Sequence, residues 1–248
     1  MTSRERDGNS GANKSKSILI GICLLGFGYF FGGLTIYKQL FPYEHIRSVK
    51  NIFFAGSLQQ ANEPKPRNTI FQTFSPKATV VMIGDSITEG GVWDEIFTET
   101  RVSNRGIGGD RANDILLRME PIFAVNAKKA FVMVGINDIY NGQSIDMIFT
   151  NYTSIVQQLR QKGTAVYIQS TLECSANKCG NNLEKVRELN KKLKSYAAEQ
   201  KIPYIDINAG LTSEKQGLLS EYSLDGVHLL GKGYLKWSQT ISPYVYSN

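Results

Sequence analysis

The chain has 248 residues, of which 42% are hydrophobic and 20% charged, a composition typical of one globular domain with a buried core and some additional segment. The net charge is +6, but the basic residues are spread along the chain without an arginine- or lysine-rich helix, which argues against a nucleic-acid-binding protein. Three cysteines are too few for a disulfide-dense scaffold, and the cysteines and the two histidines do not have the spacing of a zinc site.

The N-terminus carries a polar segment followed by an apolar one. Residues 1–16 are rich in Ser, Gly and Asn and are predicted to form a disordered tail. Residues 17–37, SILIGICLLGFGYFFGGLTIY, carry no charge and are long enough for a helix that crosses a hydrocarbon core of about 30 Å. A cleaved signal peptide is the alternative, but its apolar region is usually shorter and no small-x-small cleavage site follows. We therefore predict an uncleaved transmembrane signal anchor.

Charges and cysteines indicate on which side of the membrane the rest of the chain lies. Basic residues are slightly more frequent before the apolar segment than after it, which favours a cytoplasmic N-terminus. Cys174 and Cys179 flank a short loop and are close enough to form a disulfide in an oxidising compartment, although two free thiols are also compatible with this spacing. These features predict a single-pass membrane protein whose C-terminal domain lies outside the cytoplasm.

Residues 38–77 contain several prolines and show little hydrophobic periodicity. We interpret them as a stalk or linker that docks partly on the following domain, with the sequence EPKP as its stiffest part. His45 lies in this segment and is interpreted as a surface or packing residue. The domain itself is predicted to comprise residues 78–248.

From residue 78 onward, short apolar runs alternate with longer amphipathic stretches. The runs ATVVMIG, TRVSNRGI, KAFVMVGI, TAVYIQST and IPYIDIN are typical of buried strands. The intervening stretches ANDILLRMEPIF, SIDMIFTNYTSIVQQLRQK and NNLEKVRELNKKLKSYAAEQK have apolar residues at helical spacing; in the last, one face carries Val186, Leu189, Leu193 and Tyr196. This alternation predicts an α/β fold with a mainly parallel sheet covered on both sides.

Small polar clusters follow several of these predicted strands. Gly84-Asp85-Ser86 ends the first, NRGIGGD (residues 104–110) ends the second, and GIND (residues 135–138) ends the third. A further cluster, DGVHL (residues 225–229), precedes the last helical stretch. Because ligands bind at the carboxyl ends of parallel strands, these clusters are expected to meet at one edge of the sheet.

The residue types in these clusters fit nucleophilic catalysis. Ser86 needs a base within hydrogen-bond reach, and His228 is the only histidine in the predicted domain. Asp225 is close enough in sequence to orient its ring, which gives a Ser-Asp-His order. The Ser86 N–H, a glycine N–H of GIGGD and the Asn137 amide would stabilise a negative oxygen. A dinucleotide loop is rejected because GIGGD lacks the third glycine of that motif.

The motifs GDSITEG, NRGIGGD, GIND and DGVHL together resemble the four blocks of the SGNH, or GDSL-type, esterase and lipase superfamily. NRGIGGDRANDILLRM and DGVHLLGKGYLKW are similar to the branch that contains platelet-activating-factor acetylhydrolase catalytic subunits and lysophospholipase L1-like proteins. The resemblance implies a three-layer, flavodoxin-like α/β fold with a five-stranded parallel sheet. It also implies a catalytic triad of Ser86, Asp225 and His228, an oxyanion hole of Ser86, Gly109 and Asn137, and no requirement for a metal or an organic cofactor.

The resemblance favours hydrolysis of short acyl esters, such as acetyl esters, of a glycan or a lipid. The alternatives are hydrolysis of long-chain lysophospholipids or acyl thioesters, transfer of an acyl group to a glycan hydroxyl, and a membrane-tethered binding module without activity. Trp93, Ile96 and Phe97 are interpreted as core residues rather than an acyl-chain pocket. Arg105 and Arg111 are interpreted as solvated side chains rather than ligands of an anionic substrate.

Overall fold

The computed structural model describes residues 65–247, and its central element is a sheet of five short parallel strands. The strands are β1 Val80–Gly84, β2 Val102–Gly106, β3 Lys129–Met133, β4 Ala165–Gln169 and β5 Tyr204–Ile205. They are hydrogen-bonded in the order β2-β1-β3-β4-β5, with every pair parallel. This confirms the predicted α/β fold with a five-stranded parallel sheet of flavodoxin-like order.

Strand β1 lies between β2 and β3, and all five of its residues are buried. A strand covered on both faces has no polar side, which explains its unbroken apolar sequence. In the register of the sheet, Gly84 is the partner of both Gly106 and Met133. Strands β1, β2 and β3 therefore end level with one another, and the segments that follow them start from the same edge of the sheet.

Helices connect the strands within residues 65–247, together with a small antiparallel hairpin of β6 Thr212–Ser213 and β7 Gly217–Leu218. The helices are α1 Pro66–Thr73, α2 Ser86–Glu89, α3 Trp93–Ile96, α4 Ala112–Leu116, α5 Met119–Phe123, α6 Ile136–Tyr140, α7 Ile145–Gln161, α8 Ala176–Cys179, α9 Asn182–Glu199 and α10 Gly231–Tyr246. Helix α7 packs on β4 and against α4 and α9.

Helix α9 shows how apolar spacing sets the packing. Val186, Leu189 and Leu193 are fully buried, and Tyr196 packs partly buried against the core. These residues recur every three or four positions, so they lie on one face of the helix while its charged residues remain on the other. The predicted apolar face is therefore confirmed.

The stretch ANDILLRMEPIF, predicted as one helical segment, forms two short helices, α4 and α5. Arg118 lies between them in a non-helical backbone conformation (φ −126°, ψ 33°). Pro121 has no N–H to donate to the carbonyl four residues earlier, and its ring would clash with that carbonyl in a continuous helix. In the first turn of a new helix the same proline is tolerated, so the chain restarts there.

Aromatic residues beside the Ser86 motif belong to the core. The rings of Trp93 and Trp237 meet edge to face with centroids 4.7 Å apart, and Phe97 stacks on Trp93 at 6.3 Å. Trp93 is fully buried and Phe97 is 2% exposed, while Ile96 packs against the same cluster. The interpretation of these three neighbours of the motif as core residues is confirmed.

The predicted tail (residues 1–16), the predicted transmembrane segment (residues 17–37) and most of the predicted linker (residues 38–77) lie outside the described residues. Among residues 65–247, none of the helices combines the length and apolar character needed to cross a membrane. The described part of the linker contains helix α1, which packs on α5 and places Phe71 in the core. This part of the linker is therefore docked on the domain.

Candidate active site

Ser86 lies at the junction between β1 and α2. Asp85 caps α2, since its Oδ1 atom accepts a hydrogen bond from the Ile87 N–H at 3.0 Å. The strand before Ser86 is fully buried, and helix α2 begins at Ser86 itself. Regular secondary structure therefore fixes the backbone on both sides of this residue. The serine hydroxyl is thus presented, partly exposed, at the carboxyl edge of the sheet.

His228 and Asp225 occupy a loop just before α10. The Asp225 Oδ2 atom lies 2.7 Å from His228 Nδ1, and Oδ1 accepts hydrogen bonds from the backbone N–H groups of His228 and Val227 at 2.8 and 2.9 Å. Burial of Asp225 acts to raise its pKa, but the hydrogen bonds from His228 and Val227 outweigh this effect and hold the pKa well below its usual range. The carboxylate is therefore ionised at neutral pH and faces the imidazole.

The loop brings His228 onto Ser86 across a separation of 142 residues. The Ser86 Oγ atom lies 2.9 Å from His228 Nε2, which is hydrogen-bonding distance. Together with the Asp225 contact, this places the hydroxyl, the imidazole and the carboxylate in one hydrogen-bonded row. All three residues that the sequence analysis selected as a triad are thus adjacent in space.

The segment Gly106–Asp110, referred to here as the glycine loop, follows β2 and runs beside Ser86. An added Cβ on Gly108 would lie 3.9 Å from the Ser86 Cβ. The Gly108 N–H donates to Glu89 Oε2 at 2.5 Å, whereas no acceptor among residues 65–247 bonds the N–H of Gly109 or of Ser86. Gly109 has a φ of +72°, a left-handed conformation that favours glycine.

Asn137 lies in the first turn of α6, next to the glycine loop. Its side-chain Nδ2 donates one hydrogen bond to the Asp110 carbonyl at 3.0 Å. An amide nitrogen carries two N–H donors, so one remains for a further acceptor. The Asp110 contact therefore orients the amide while leaving a donor at the same edge of the sheet as Ser86.

Buried acids that the sequence analysis did not single out lie beneath the site. Asp110 is 1% exposed and pairs with Arg118 Nε at 2.6 Å, while Asp138 accepts from the Ala112 N–H at 3.0 and 3.1 Å. Desolvation raises the pKa of Asp138 to about 6 and that of Asp85 to about 7. Their only sequence signal is that each lies inside or at the end of a recognised motif.

The interpretation of Arg105 as a solvated side chain is wrong. Arg105 is 4% exposed and stacks on the Phe71 ring with its guanidinium carbon 4.4 Å from the centroid. Burial, together with the nearby Arg118 and Arg67, lowers its pKa to about 10. Its docking partner belongs to α1, so the burial depends on a segment that precedes the predicted domain. Arg111 is partly exposed and pairs with Asp114 at 2.9 Å.

Cys174 and Cys179 form a disulfide, with Cα atoms 5.8 Å apart. The loop that they close is tied to the Asp225–His228 loop, because the Ser175 N–H donates to the Gly226 carbonyl at 2.8 Å. An added Cβ on Gly226 would lie only 2.2 Å from Ser175 Oγ, so the two loops are in close contact. The disulfide-bonded loop therefore supports the segment that carries Asp225 and His228.

A cavity of about 610 Å³ borders Asp225 on the side of the disulfide-bonded loop. Most of its lining is polar and includes Lys178 and Lys215. Within residues 65–247, no group of three or more His, Cys, Asp or Glu side chains is placed to hold a metal ion. The candidate site thus consists of the hydrogen-bonded row, the glycine loop and the Asn137 amide, and the cavity adjoins it at Asp225.

Comparison with known proteins places the chain in a family. The profile of the GDSL-like Lipase/Acylhydrolase family matches residues 82–236. Human platelet-activating factor acetylhydrolase IB subunit alpha1 is 28% identical over 166 residues, which are 62% of this chain and 70% of that protein. The solved structure of a GDSL-like lipase from Bacteroides thetaiotaomicron is 25% identical, with a TM-score of 0.66 over 75% of this chain and 97% of that one.

A further relative is longer than this chain. The N-acylneuraminate cytidylyltransferase of Streptococcus agalactiae is 23% identical over 187 residues, which are 75% of this chain but 43% of that protein. The chain thus spans less than half the length of that relative, and the similarity concerns the part that the two share. The family match covers both the Ser86 motif and the Asp225–His228 loop, and the chain therefore belongs to the GDSL-like lipase/acylhydrolase family.

Proposed function

We propose that the protein is a serine ester hydrolase in which Ser86 is the nucleophile, His228 the general base and acid, and Asp225 the group that orients His228. The observation that carries the proposal is the hydrogen-bonded row, with 2.9 Å from Ser86 Oγ to His228 Nε2 and 2.7 Å from His228 Nδ1 to Asp225 Oδ2. The Asp225 carboxylate accepts a hydrogen bond from the Nδ1–H group, which leaves the Nε2 lone pair free to take the proton of the hydroxyl.

The reaction then proceeds through an acyl-enzyme. Ser86 Oγ attacks the carbonyl carbon and its proton passes to His228; the tetrahedral intermediate collapses and the imidazolium protonates the departing alcohol. Water next attacks the acyl carbon and gives a proton to His228. The second tetrahedral intermediate then collapses, the imidazolium protonates Ser86 Oγ, and the acid and the free serine are released. The imidazolium is present in both halves of the cycle, and the ionised Asp225 stabilises it each time.

We propose that the negative oxygen of both intermediates is bound by the N–H groups of Ser86 and Gly109 and by the Asn137 amide. Gly109 is favoured over Gly108 because Glu89 already accepts the Gly108 N–H at 2.5 Å. A hydrogen bond to Asp110 fixes the Asn137 amide at 3.0 Å before any substrate binds. Donors that are oriented in advance stabilise developing charge without reorganisation during the reaction.

We propose that the substrate is a short acyl ester, of the acetyl type, on a glycan or a lipid. The buried positions of Trp93 and Phe97 support a small acyl group, because the large apolar side chains beside the Ser86 motif are occupied in the core. The polar, lysine-containing lining of the cavity beside Asp225 supports a hydrophilic alcohol such as a sugar. The relative that is named as an acetylhydrolase is consistent with the short acyl group. The relative that is named for N-acylneuraminate is consistent with the sugar alcohol.

We further propose that the enzyme is anchored in a membrane by residues 17–37, with the hydrolase domain outside the cytoplasm. The uncharged segment and the Cys174–Cys179 disulfide support this location. An alkaline phosphatase reporter fused after Asn248 is expected to be active, because it folds only in an oxidising compartment. An inactive phosphatase fusion together with a fluorescent cytoplasmic-type reporter at the same site would contradict the proposal.

Activity of the purified full-length chain on p-nitrophenyl acetate, butyrate, octanoate and palmitate tests the reaction and the acyl preference. Ser86→Ala is expected to lower kcat by about 10⁴-fold or more, because the nucleophile is lost. Ser195→Ala, which changes an exposed serine on α9, is the matched control and should retain full activity. Equal activity of Ser86→Ala and wild type would reject the assignment.

The same panel decides between short and long acyl groups. A higher kcat/KM for palmitate than for acetate would support the long-chain alternative instead. Mass analysis of products formed with an oligosaccharide acceptor separates hydrolysis from acyl transfer, since only transfer adds an acetyl group to the acceptor. Free acetate as the sole product that carries the acetyl group is the expected result.

A further inference from the structure

Lys65 contacts the glycine loop on both sides of Gly109. Its Nζ atom donates to the Gly108 carbonyl at 3.0 Å and pairs with Asp110 Oδ1 at 2.5 Å. The same ammonium lies 3.8 Å from the position of a Cβ on Gly109. Lys65 precedes α1 and belongs to the segment predicted as a linker, so it is outside all four motifs of the family resemblance.

The peptide between Gly108 and Gly109 connects this contact to the chemistry. The Gly108 carbonyl and the Gly109 N–H belong to one planar trans unit, in which the C=O and N–H bonds point in opposite directions. A cation that holds the carbonyl on one side therefore fixes the direction of the N–H on the other side. Polarisation of the carbonyl by the ammonium also makes the N–H a stronger donor.

The glycine loop needs this support because the backbone of glycine residues is intrinsically flexible. Gly106, Gly108 and Gly109 have no side chains that pack, and glycine has the greatest backbone freedom to lose. Charged side chains restrain the first two: Arg67 Nε donates to the Gly106 carbonyl at 2.8 Å, and Glu89 Oε2 accepts the Gly108 N–H at 2.5 Å. Lys65 restrains the next peptide unit, the one that carries the Gly109 N–H.

Removal of the Lys65 side chain is not expected to unfold the protein. Asp110 keeps a second ion pair, with Arg118 Nε at 2.6 Å, and both of those side chains are almost completely buried. The buried carboxylate therefore stays compensated when Lys65 is removed. The Lys65 side chain itself is 39% exposed, so its removal leaves no large cavity.

We propose that Lys65 is a positioning residue of the ester hydrolase, which orients the Gly108–Gly109 peptide so that the Gly109 N–H faces the oxyanion; this rests on the oxyanion role proposed above for Gly109. A segment that lies before the catalytic motifs thereby completes the active site. A chain that starts at residue 78 lacks this cation.

The test compares Lys65→Met, Lys65→Arg and the control Lys77→Met in the purified full-length chain. Among residues 65–247, the Lys77 ammonium forms one hydrogen bond, to the Ala124 carbonyl at 3.1 Å, so its loss removes no hydrogen bond of the glycine loop. For p-nitrophenyl acetate, Lys65→Met is expected to lower kcat by about tenfold to 10²-fold with KM within twofold of wild type, as expected for a misplaced catalytic donor. Lys65→Arg should recover most of the kcat, and Lys77→Met should retain all of it.

A second readout reports on the oxyanion hole directly. An aryl trifluoromethyl ketone adds to Ser86 Oγ to give a hemiketal oxyanion, with the hydroxyl proton passing to His228. Its Ki is expected to rise in Lys65→Met by the same factor as kcat falls, while the thermal midpoint stays within a few degrees of wild type. A merely structural role would not move these two quantities in parallel.

Two results would overturn the proposal. One is a Lys65→Met variant with wild-type kcat and Ki. The other is a loss of activity that follows loss of folded protein and is not restored by Lys65→Arg. Failure of the proposed function would be visible separately, as a wild-type activity that does not depend on Ser86.

Discussion

Replacing Asp225 by Asn tests the electrostatic part of the proposed triad. The amide oxygen of Asn can still accept the backbone N–H groups that Asp225 Oδ1 accepts from His228 and Val227, so the loop keeps its geometry. The atom that faces His228 Nδ1 loses its charge. If the new amide nitrogen faces Nδ1, the imidazole must carry its proton on Nε2 and can no longer accept the proton of Ser86.

The size of the effect follows from the geometry. Unit charges 2.7 Å apart attract by about 1.5 kcal/mol at a dielectric constant of 80 and by about 6 kcal/mol at 20. Both side chains are 50% exposed, so solvent screens the pair and the contribution lies between these limits, at about 3–4 kcal/mol. Because each 1.36 kcal/mol is a factor of ten in rate, we expect kcat to fall by about 10² to 10³-fold.

The assay is the steady-state hydrolysis of p-nitrophenyl acetate, with circular dichroism and the thermal midpoint measured in parallel. Asp146→Asn is the matched control, because this carboxylate is 84% exposed, pairs with Lys192 at 2.6 Å and lies outside the four motifs. The control should retain full activity. A folded Asp225→Asn variant with kcat within threefold of wild type would refute the role of the carboxylate in stabilising the imidazolium.

Three further predictions concern the oxyanion donor, a buried acid and the disulfide. Asn137→Ala is expected to lower kcat for p-nitrophenyl acetate by about 10² to 10³-fold with little change in KM; an unchanged kcat would remove the amide from this role. Desolvation raises the pKa of Asp85 from 3.8 to about 7, so the folded protein holds a proton that the unfolded chain has lost, and the free energy of unfolding should fall as the pH rises through this window. Asp85→Asn should reduce the difference in urea midpoint between pH 5 and pH 8, and an unaltered difference would show that Asp85 does not cause it. The double substitution of Cys174 and Cys179 by Ser is expected to lower the free energy of unfolding by about 2 kcal/mol, as expected for a loop closed by a sequence separation of 5; equal urea midpoints for the variant and untreated wild type would indicate free thiols.

The sequence pattern was sufficient for the sheet and for the residues at its edge. Short unbroken apolar runs identify the buried strands, and apolar residues three or four positions apart identify the amphipathic helices, because burial acts on neighbouring side chains along one element. The motifs at the strand ends then follow from the rule that parallel strands end at the same edge. The adjacency of Ser86 and His228 is an example. Ser86 follows strand β1 and His228 precedes helix α10, and the sequence pattern predicts both of these elements.

Contacts made by charged side chains across the fold could not be predicted in this way. Arg105 carries the same charge as any surface arginine, and the contacts that accompany its burial, with the Phe71 ring of α1 and the Pro121 carbonyl, come from segments distant in sequence. Lys65 and Asp110 are 45 residues apart and belong to segments with no shared periodicity. The pairing of Cys174 with Cys179 was likewise open, because the spacing permits a bond without requiring one.

The two halves of the hydrogen-bonded row differ in how firmly they are held. Ser86 follows a strand that is buried on both faces and bonded to two neighbours, whereas His228 and Asp225 sit half exposed on a loop. Native proteins open locally with the smallest free energies where few apolar contacts hold the chain. Amide hydrogens of β1 should therefore exchange only through global unfolding, while those of the 223–228 loop exchange through local excursions. Mild denaturant or heat would thus inactivate the enzyme reversibly, by displacing the imidazole, before the sheet itself begins to melt.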